Sequence, residues 1–218
     1  MIRSVFWDND GVLVDTEKLY FQATREILLE VGITLTRELF NQISLVEGRS
    51  AFDLAQAQGI SSEKIDRLHE VRNQRYTELL QGGVPILDGV QDALRELLGR
   101  IAMAVVTSSR RVHFDVMHQR TGLLPYFDFV LVREDYERSK PDPEPYLAAL
   151  KKSGCRPEEC LVVEDSPRGL AAAQAAGIRC LVVPNELTRG NAFPGALRIL
   201  EDCRQIPAVI KHLNGDGP

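Results

Sequence analysis

Nowhere in the 218 residues does an apolar run approach the roughly 18–20 residues that a membrane-spanning helix requires. No block of lysines and arginines occurs either, and 31 acidic residues against 26 basic ones leave a formal net charge of -5. A polyanion such as DNA would meet net repulsion, so nucleic acid is not an expected partner. Cysteine is scarce: Cys155, Cys160, Cys180 and Cys203 form no C-x-x-C pair and have no histidine at zinc spacing. Cys160 and Cys180 fall inside apolar, strand-like runs, and all four are read as reduced thiols. No signal-peptide pattern precedes the run Arg3-Ser4-Val5-Phe6-Trp7, and the expected location is the cytoplasm. Internal repeats, low-complexity tracts and coiled-coil heptads are also missing.

What is present is the material of a globular domain. With 44% hydrophobic and 26% charged residues the chain can bury a full-sized core, and its length suits one large domain or one domain with a smaller insert. Short apolar runs at Arg3–Trp7, Ile101–Val106, Phe129–Val132, Leu161–Val163 and Cys180–Val183 read as buried strands. Helical patterns at Val90–Leu98, Val112–Thr121, Glu144–Ser153 and Arg168–Ala176 lie between them. This alternation predicts a parallel sheet covered on both faces. The last of these helices is the best marked: Ser166 caps it, Pro167 suits its first turn and Gly177 stops it.

The stretch from about Thr16 to Val84 has a different texture. It offers helical patterns at Glu17–Val31, Arg37–Ile43, Ser50–Ala57 and Ser62–Leu80 and no convincing strand. It reads as an all-helical insert, with the chain leaving the core through Val14-Asp15-Thr16 and returning to it through Gly82-Gly83 and Pro85. The tail Asn214-Gly215-Asp216-Gly217-Pro218 is expected to fray.

Four polar clusters stand at or just after the carboxyl ends of the predicted strands, where open α/β sheets hold ligands. Asp8-Asn9-Asp10-Gly11 sends two carboxylates out of the core at one mouth, although an Asx turn using Gly11 would need only one. Thr107-Ser108-Ser109 offers hydroxyls and loop amides to a phosphate; equally, Ser109 is placed to cap the helix leading to Val112. Alternating prolines in Ser139-Lys140-Pro141-Asp142-Pro143-Glu144-Pro145 stiffen the backbone around one lysine, which alone would pass for an exposed loop residue. Glu164-Asp165-Ser166 puts two acids at a strand end where a divalent cation would relieve their repulsion.

The ordered set Asp8-x-Asp10-Gly11-Val12, Thr107, Lys140-Pro141 and Glu164-Asp165 resembles the four motifs of the haloacid dehalogenase superfamily. The phrase Asp10-Gly11-Val12-Leu13-Val14-Asp15-Thr16-Glu17 is similar to its β-phosphoglucomutase-like branch, and the likeness spans residues 5 to 184. The resemblance implies a Rossmann-like α/β core, residues 1–15 and 85–218, with a helical cap, residues 16–84, inserted after the first strand. It implies Asp8 as nucleophile on a phosphate ester and Asp10 as the acid and base. Mg²⁺ would be held by the Asp8 carboxylate, the Asp10 carbonyl, Asp165, and Glu164 directly or through water. Thr107 and the Ser108 amide would hold phosphoryl oxygens, with Lys140 offsetting their charge.

Within the superfamily an acid at position 10 points to phosphate esters, because the dehalogenases have no acidic residue there and the phosphonatases a small one. The implied partner is a small phosphorylated metabolite. β-Phosphoglucomutase has a histidine in the first cap helix where this chain has Tyr20, which favours a phosphatase over a mutase. Arg49, in Gly48-Arg49-Ser50, remains available to a second phosphate, and Glu17, Tyr20 and Arg49 are the candidate specificity residues of the cap. A non-catalytic binding module would be expected to have lost at least one of these groups, and all are present. His69, His113, His118 and His212 lie on helical patterns without a Ser or Cys partner and are read as surface or partly buried helix residues. Nothing in the sequence sets an oligomeric state, and a monomer is expected.

Overall fold

The structure, a computed structural model, describes residues 1–215. Among them six strands form one parallel sheet: β1 (Ser4–Trp7), β2 (Ala102–Val106), β3 (Phe129–Leu131), β4 (Cys160–Glu164), β5 (Arg179–Val182) and β6 (Arg198–Ile199). Their order is β3-β2-β1-β4-β5-β6, so β1 lies at the centre, with Ser4–Trp7 paired to Ala102–Val105 on one side and to Cys160–Val163 on the other. Every residue of β1 and β4 is buried.

Both strands read as unbroken apolar runs because both faces of the sheet are covered. Alternate side chains go to opposite layers. Val5, Trp7, Leu161 and Val163 pack against α5 (Val90–Leu97), α6 (Arg111–His118) and α9 (Ile206–Asn214). Phe6, Ala104 and Val162 pack against Tyr146 and Ala149 of α7 (Glu144–Ser153) and Leu170 and Ala173 of α8 (Pro167–Ala175). As expected, the side chain of Ser166 caps α8, accepting from the Gly169 amide at 3.3 Å.

The insert holds α1 (Glu17–Glu30), α2 (Arg37–Phe40), α3 (Asp53–Ala57) and α4 (Ser62–Gln81), and no strand. It has its own core around Phe21, Leu28, Phe40, Phe52 and Ala55. Its exit and return are stitched together: Val14 bridges Ile86, and the Asp15 amide donates to the Pro85 carbonyl at 2.9 Å. No helix among the described residues is long and apolar enough to cross a membrane.

Several elements depart from the sequence pattern. The helix expected over Arg37–Ile43 leaves the α form at Phe40 and continues as a π-helical turn, Asn41–Val46. The helix expected from Ser50 begins at Asp53, and the one expected to reach Thr121 ends at His118. Helix α9 and strand β6 have no counterpart in the expected list. The fraying expected of the tail does not hold at Asn214, which ends α9 and donates its side-chain amide to the Ile2 carbonyl at 3.2 Å; positions 216–218 lie outside the described residues.

Candidate active site

The chain runs outward from β1 to β2 and β3 on one side of the sheet and later through β4, β5 and β6 on the other. Connections that diverge in this way leave a crevice at the carboxyl ends of the two central strands. Asp8 follows β1, Thr107 follows β2 and Asp165 follows β4, so all three arrive at that crevice.

Lys140 enters it from the segment before α7. Its ammonium has three protons and three acceptors: Asp8 Oδ1 at 2.7 Å, Glu164 Oε1 at 2.7 Å and the Val106 carbonyl at 2.9 Å. Tyr146 closes the arrangement by donating its hydroxyl to the same Glu164 oxygen at 2.6 Å. Burial works against the Lys140 charge, but Asp8 and Glu164 outweigh it and hold the ammonium above its ordinary range. Burial and then the charge of Glu164 push the Asp8 carboxyl up to about 7, and Lys140 counters them only in part.

Oxygens of Asp8, Glu164 and Asp165 lie within 4.8 Å of one another, all buried. The Asp165 carboxyl is pushed well above its ordinary value, first by burial and then by Glu17, Glu164 and Asp8. Three buried acids beside one ammonium form an oxygen-rich, over-negative set, which fits a hard divalent cation. The fit is best at Asp8 and Asp165. Glu164 Oε1 is spent on Lys140 and Tyr146, and its Oε2 has only 3.3 Å contacts to the Asp165 amide and the Ser166 hydroxyl. Gly11 permits this crowding: it sits at φ +83°, and a Cβ there would stand 2.5 Å from Asp165 Oδ2.

Asp10 faces five donors. Thr16 Oγ1 at 2.6 Å and Tyr76 Oη at 3.4 Å donate to its Oδ1, while Ser109 Oγ at 2.7 Å, Thr107 Oγ1 at 3.1 Å and Asn9 Nδ2 at 3.2 Å donate to its Oδ2. Ser109 therefore does not cap α6, whose cap residue is Arg110; a hydroxyl within reach of a carboxylate takes the stronger acceptor. The Ser108 hydroxyl is buried with no hydrogen-bond partner.

Asp8, Asp10, Thr107, Ser108 and Lys140 line a cavity of about 360 Å³ whose far wall is the helical insert. A larger cleft, about 990 Å³, opens between α1 and the segments 183–189 and 201–204, but it reaches none of Asp8, Asp10, Thr107 or Lys140. Chemistry therefore selects the smaller cavity.

The haloacid dehalogenase-like hydrolase model matches residues 5–183. The chain belongs to this family. A phosphorylated carbohydrates phosphatase of Thermotoga maritima is 33% identical over 220 residues, covering 97% of this chain and 100% of that one. The CbbY protein of Rhodobacter capsulatus is 31% identical over 210 residues, covering 89% and 91%. Among solved structures, CbbY of Rhodobacter sphaeroides in complex with phosphate superposes with a TM-score of 0.79 at 26% identity, over 94% of this chain and 96% of that one.

This hydrolase brings the cap candidates to its cavity in unequal ways. Glu17 is buried in the first turn of α1 with Oε2 unpartnered; burial raises its carboxyl to about 8 against the pull of Arg168. Tyr20 packs edge-on to Tyr76 and carries the Arg72 guanidinium 4.3 Å above its ring. Arg49 sits at the rim, more than half exposed, and is tied to Glu47 at 3.1 Å and Asp53 at 2.9 Å.

Three lining residues escaped the sequence reading. Arg72 is 7% exposed with no carboxylate partner, only Asn73 Oδ1 at 3.1 Å, Thr24 Oγ1 at 3.4 Å and a histidine nitrogen at 3.5 Å. Arg168 has a buried, unpartnered Nε. Tyr76 reaches Asp10. The spacing of His69, Arg72 and Tyr76, three and then four residues apart on α4, was the available signal. The histidine reading needs correction too: His113 and His118 are buried, and His118 is hydrogen-bonded to Asn9.

Proposed function

We propose that the chain is a Mg²⁺-dependent phosphatase that hydrolyses a small phosphorylated metabolite, a sugar phosphate or similar monoester, through an aspartyl-phosphate on Asp8. The observation that carries this reading is the Lys140 ammonium held 2.7 Å from Asp8 Oδ1 at a cavity that also collects Asp10, Thr107 and Ser108. The identity to the Thermotoga phosphatase supports it. Residues 1–15 and 85–218 form the catalytic core, and residues 16–84 form the cap that selects the substrate.

An Asp8 oxygen attacks phosphorus, the ester P–O bond breaks, and Asp10 gives its proton to the departing alkoxide, leaving an alcohol. Asp10 then takes a proton from water, whose oxygen bonds to phosphorus as the bond to Asp8 breaks. Inorganic phosphate leaves and both carboxyls are restored. Lys140 offsets the approach of two anions, while Thr107 and Ser108 supply donors to the phosphoryl oxygens, on the order of 3 kcal/mol for one good donor.

Asp8 and Asp165, with the Asp10 carbonyl, would hold Mg²⁺, and Glu164 serves chiefly to fix Lys140. The bound cation supplies charge neutralisation at the phosphoryl group. In the cap, Arg72 is the better-placed cation for a substrate oxygen than Arg49, which is already paired. Tyr20, edge-on to Tyr76 and beneath the Arg72 guanidinium, has no acid–base task.

The test is phosphate release from a panel of sugar phosphates. It should require Mg²⁺, cease with a chelator and fall by about 10³-fold or more in Asp8→Asn with folding intact. Metal-independent turnover, or an active Asp8→Asn, would overturn the reading. Isomerisation of β-glucose 1-phosphate without net phosphate release would replace hydrolysis by mutase chemistry.

A further inference from the structure

Between the nucleophile and the acid lies Asn9, a fully buried amide. A primary amide placed there costs stability unless its donors and acceptor are matched. It is matched on both sides. Its Nδ2 lies 3.2 Å from Asp10 Oδ2 and 3.2 Å from Met117 Sδ, and its Oδ1 lies 2.7 Å from His118 Nε2. Two carbonyl-type oxygens cannot face each other, so the Asp10 carboxylate fixes which end of the amide it meets.

The rest of the polarity follows. Asn9 Oδ1 must receive a proton, so His118 carries its hydrogen on Nε2. In the neutral ring Nδ1 is then an acceptor, and Thr121 Oγ1, 2.9 Å away, donates to it. The Leu123 amide donates to Thr121 Oγ1 in turn at 3.3 Å. The chain of bonds runs in one direction, from the turn after α6 to Asp10. Burial, opposed by Asp10 and Asp115, pushes the His118 ring down to about 4, which keeps it neutral as this chain requires.

Of the five donors to Asp10, Thr16 and Tyr76 lie in the proposed cap, whereas Thr107, Ser109 and Asn9 belong to the core. The Asn9 amide differs from the core hydroxyls in being backed by a ring, His118, which lies tilted against Phe114 with ring centroids 4.5 Å apart. We propose that His118 is a positioning residue for the acid/base carboxylate: through Asn9 it ties Asp10 to the core frame while the cap opens and closes. This rests on the phosphatase reading and on the role of Asp10 within it.

The experiment compares an aryl phosphate with a good leaving group and an alkyl phosphate that needs an acid. Asp10→Asn sets the scale. His118→Phe keeps a ring against Phe114 but removes the donor, and Asn9→Leu cuts the next link. Each should lower kcat on the alkyl ester about tenfold more than on the aryl ester, and the double variant should be no worse than the poorer single. His118→Gln, whose amide can donate to Asn9, should recover part of the loss. Should His118→Phe not fold, His118→Gln against Asn9→Leu carries the same comparison.

Equal losses on both esters, the mark of a merely structural role, or additive losses in the double variant would overturn the proposal. If Asp10→Asn shows the leaving-group split and the His118 variants do not, positioning falls and the phosphatase reading stands. If Asp10→Asn shows no split, the acid role falls and takes this inference with it.

Discussion

Lys140 illustrates how a buried charge is tolerated. Two carboxylates and a carbonyl take its three protons, and the 0%-exposed Glu164 is in turn satisfied by Tyr146. Such a set is stable only while complete, since removing one member leaves an uncompensated charge. His118 is the neutral counterpart, and its titration gives a test of burial. Free histidine binds a proton near 6.5 and folded His118 only near 4. Its stabilising contribution is therefore complete above pH 6.5 and is lost as pH falls toward 4, by about 2–3 kcal/mol at about 1.4 kcal/mol per tenfold change in proton affinity. Asp8 and Glu17, raised to about 7 and about 8, titrate in the opposite sense, costing stability as pH rises. Comparing the wild type with His118→Phe cancels them. The stability gap in denaturant melts should narrow by that amount between pH 7 and pH 4; a constant gap would mean the ring is not buried neutral.

Among the elements, the loop after β1 is the most constrained. The Asn9 carbonyl accepts from the amides of Val12, Leu13 and Val14, and Gly11 at positive φ brings the backbone against Asp165. Gly11→Ala should lose roughly 1–3 kcal/mol of stability. It should also raise the Mg²⁺ concentration for half-maximal activity, because the new methyl group enters the space of Asp165 Oδ2. Thermal melts and a magnesium titration check this, and an unchanged titration would separate Gly11 from the metal site.

The same loop was legible in sequence because each of its residues breaks a rule: acids at the end of an apolar strand, then a glycine. Strands β1, β2 and β4 announced themselves as apolar runs for a related reason, since both faces are buried. Strand β6 did not, being two exposed residues at the sheet edge. Helix α9 carries its signal in Ile206, Val209 and Ile210, but Pro207 interrupts the pattern at the start. The wall formed by the helical insert was the least legible. Whether Arg72 faces the cavity depends on how α4 is rotated against the core, and that Arg49 is tied to Glu47 and Asp53 depends on the fold of the segment before α3; neither is fixed by the periodicity of one helix.

At the scale of the whole molecule, the sheet gathers three strand ends and a lysine from four distant segments, and the helical insert roofs them. In the proposed mechanism the core supplies attack, charge and proton transfer, while Glu17, Tyr20 and Arg72 of the insert line the cavity a substrate would enter. The central claim is that phosphate passes through the Asp8 carboxylate. Acid-quenching the Mg²⁺-loaded enzyme during turnover of a radiolabelled sugar phosphate and mapping the peptides tests it most directly. The account predicts label on the peptide containing Asp8 in the wild type and none in Asp8→Asn. Steady hydrolysis with no protein-bound label at any quench time, or label that persists in Asp8→Asn, would contradict it.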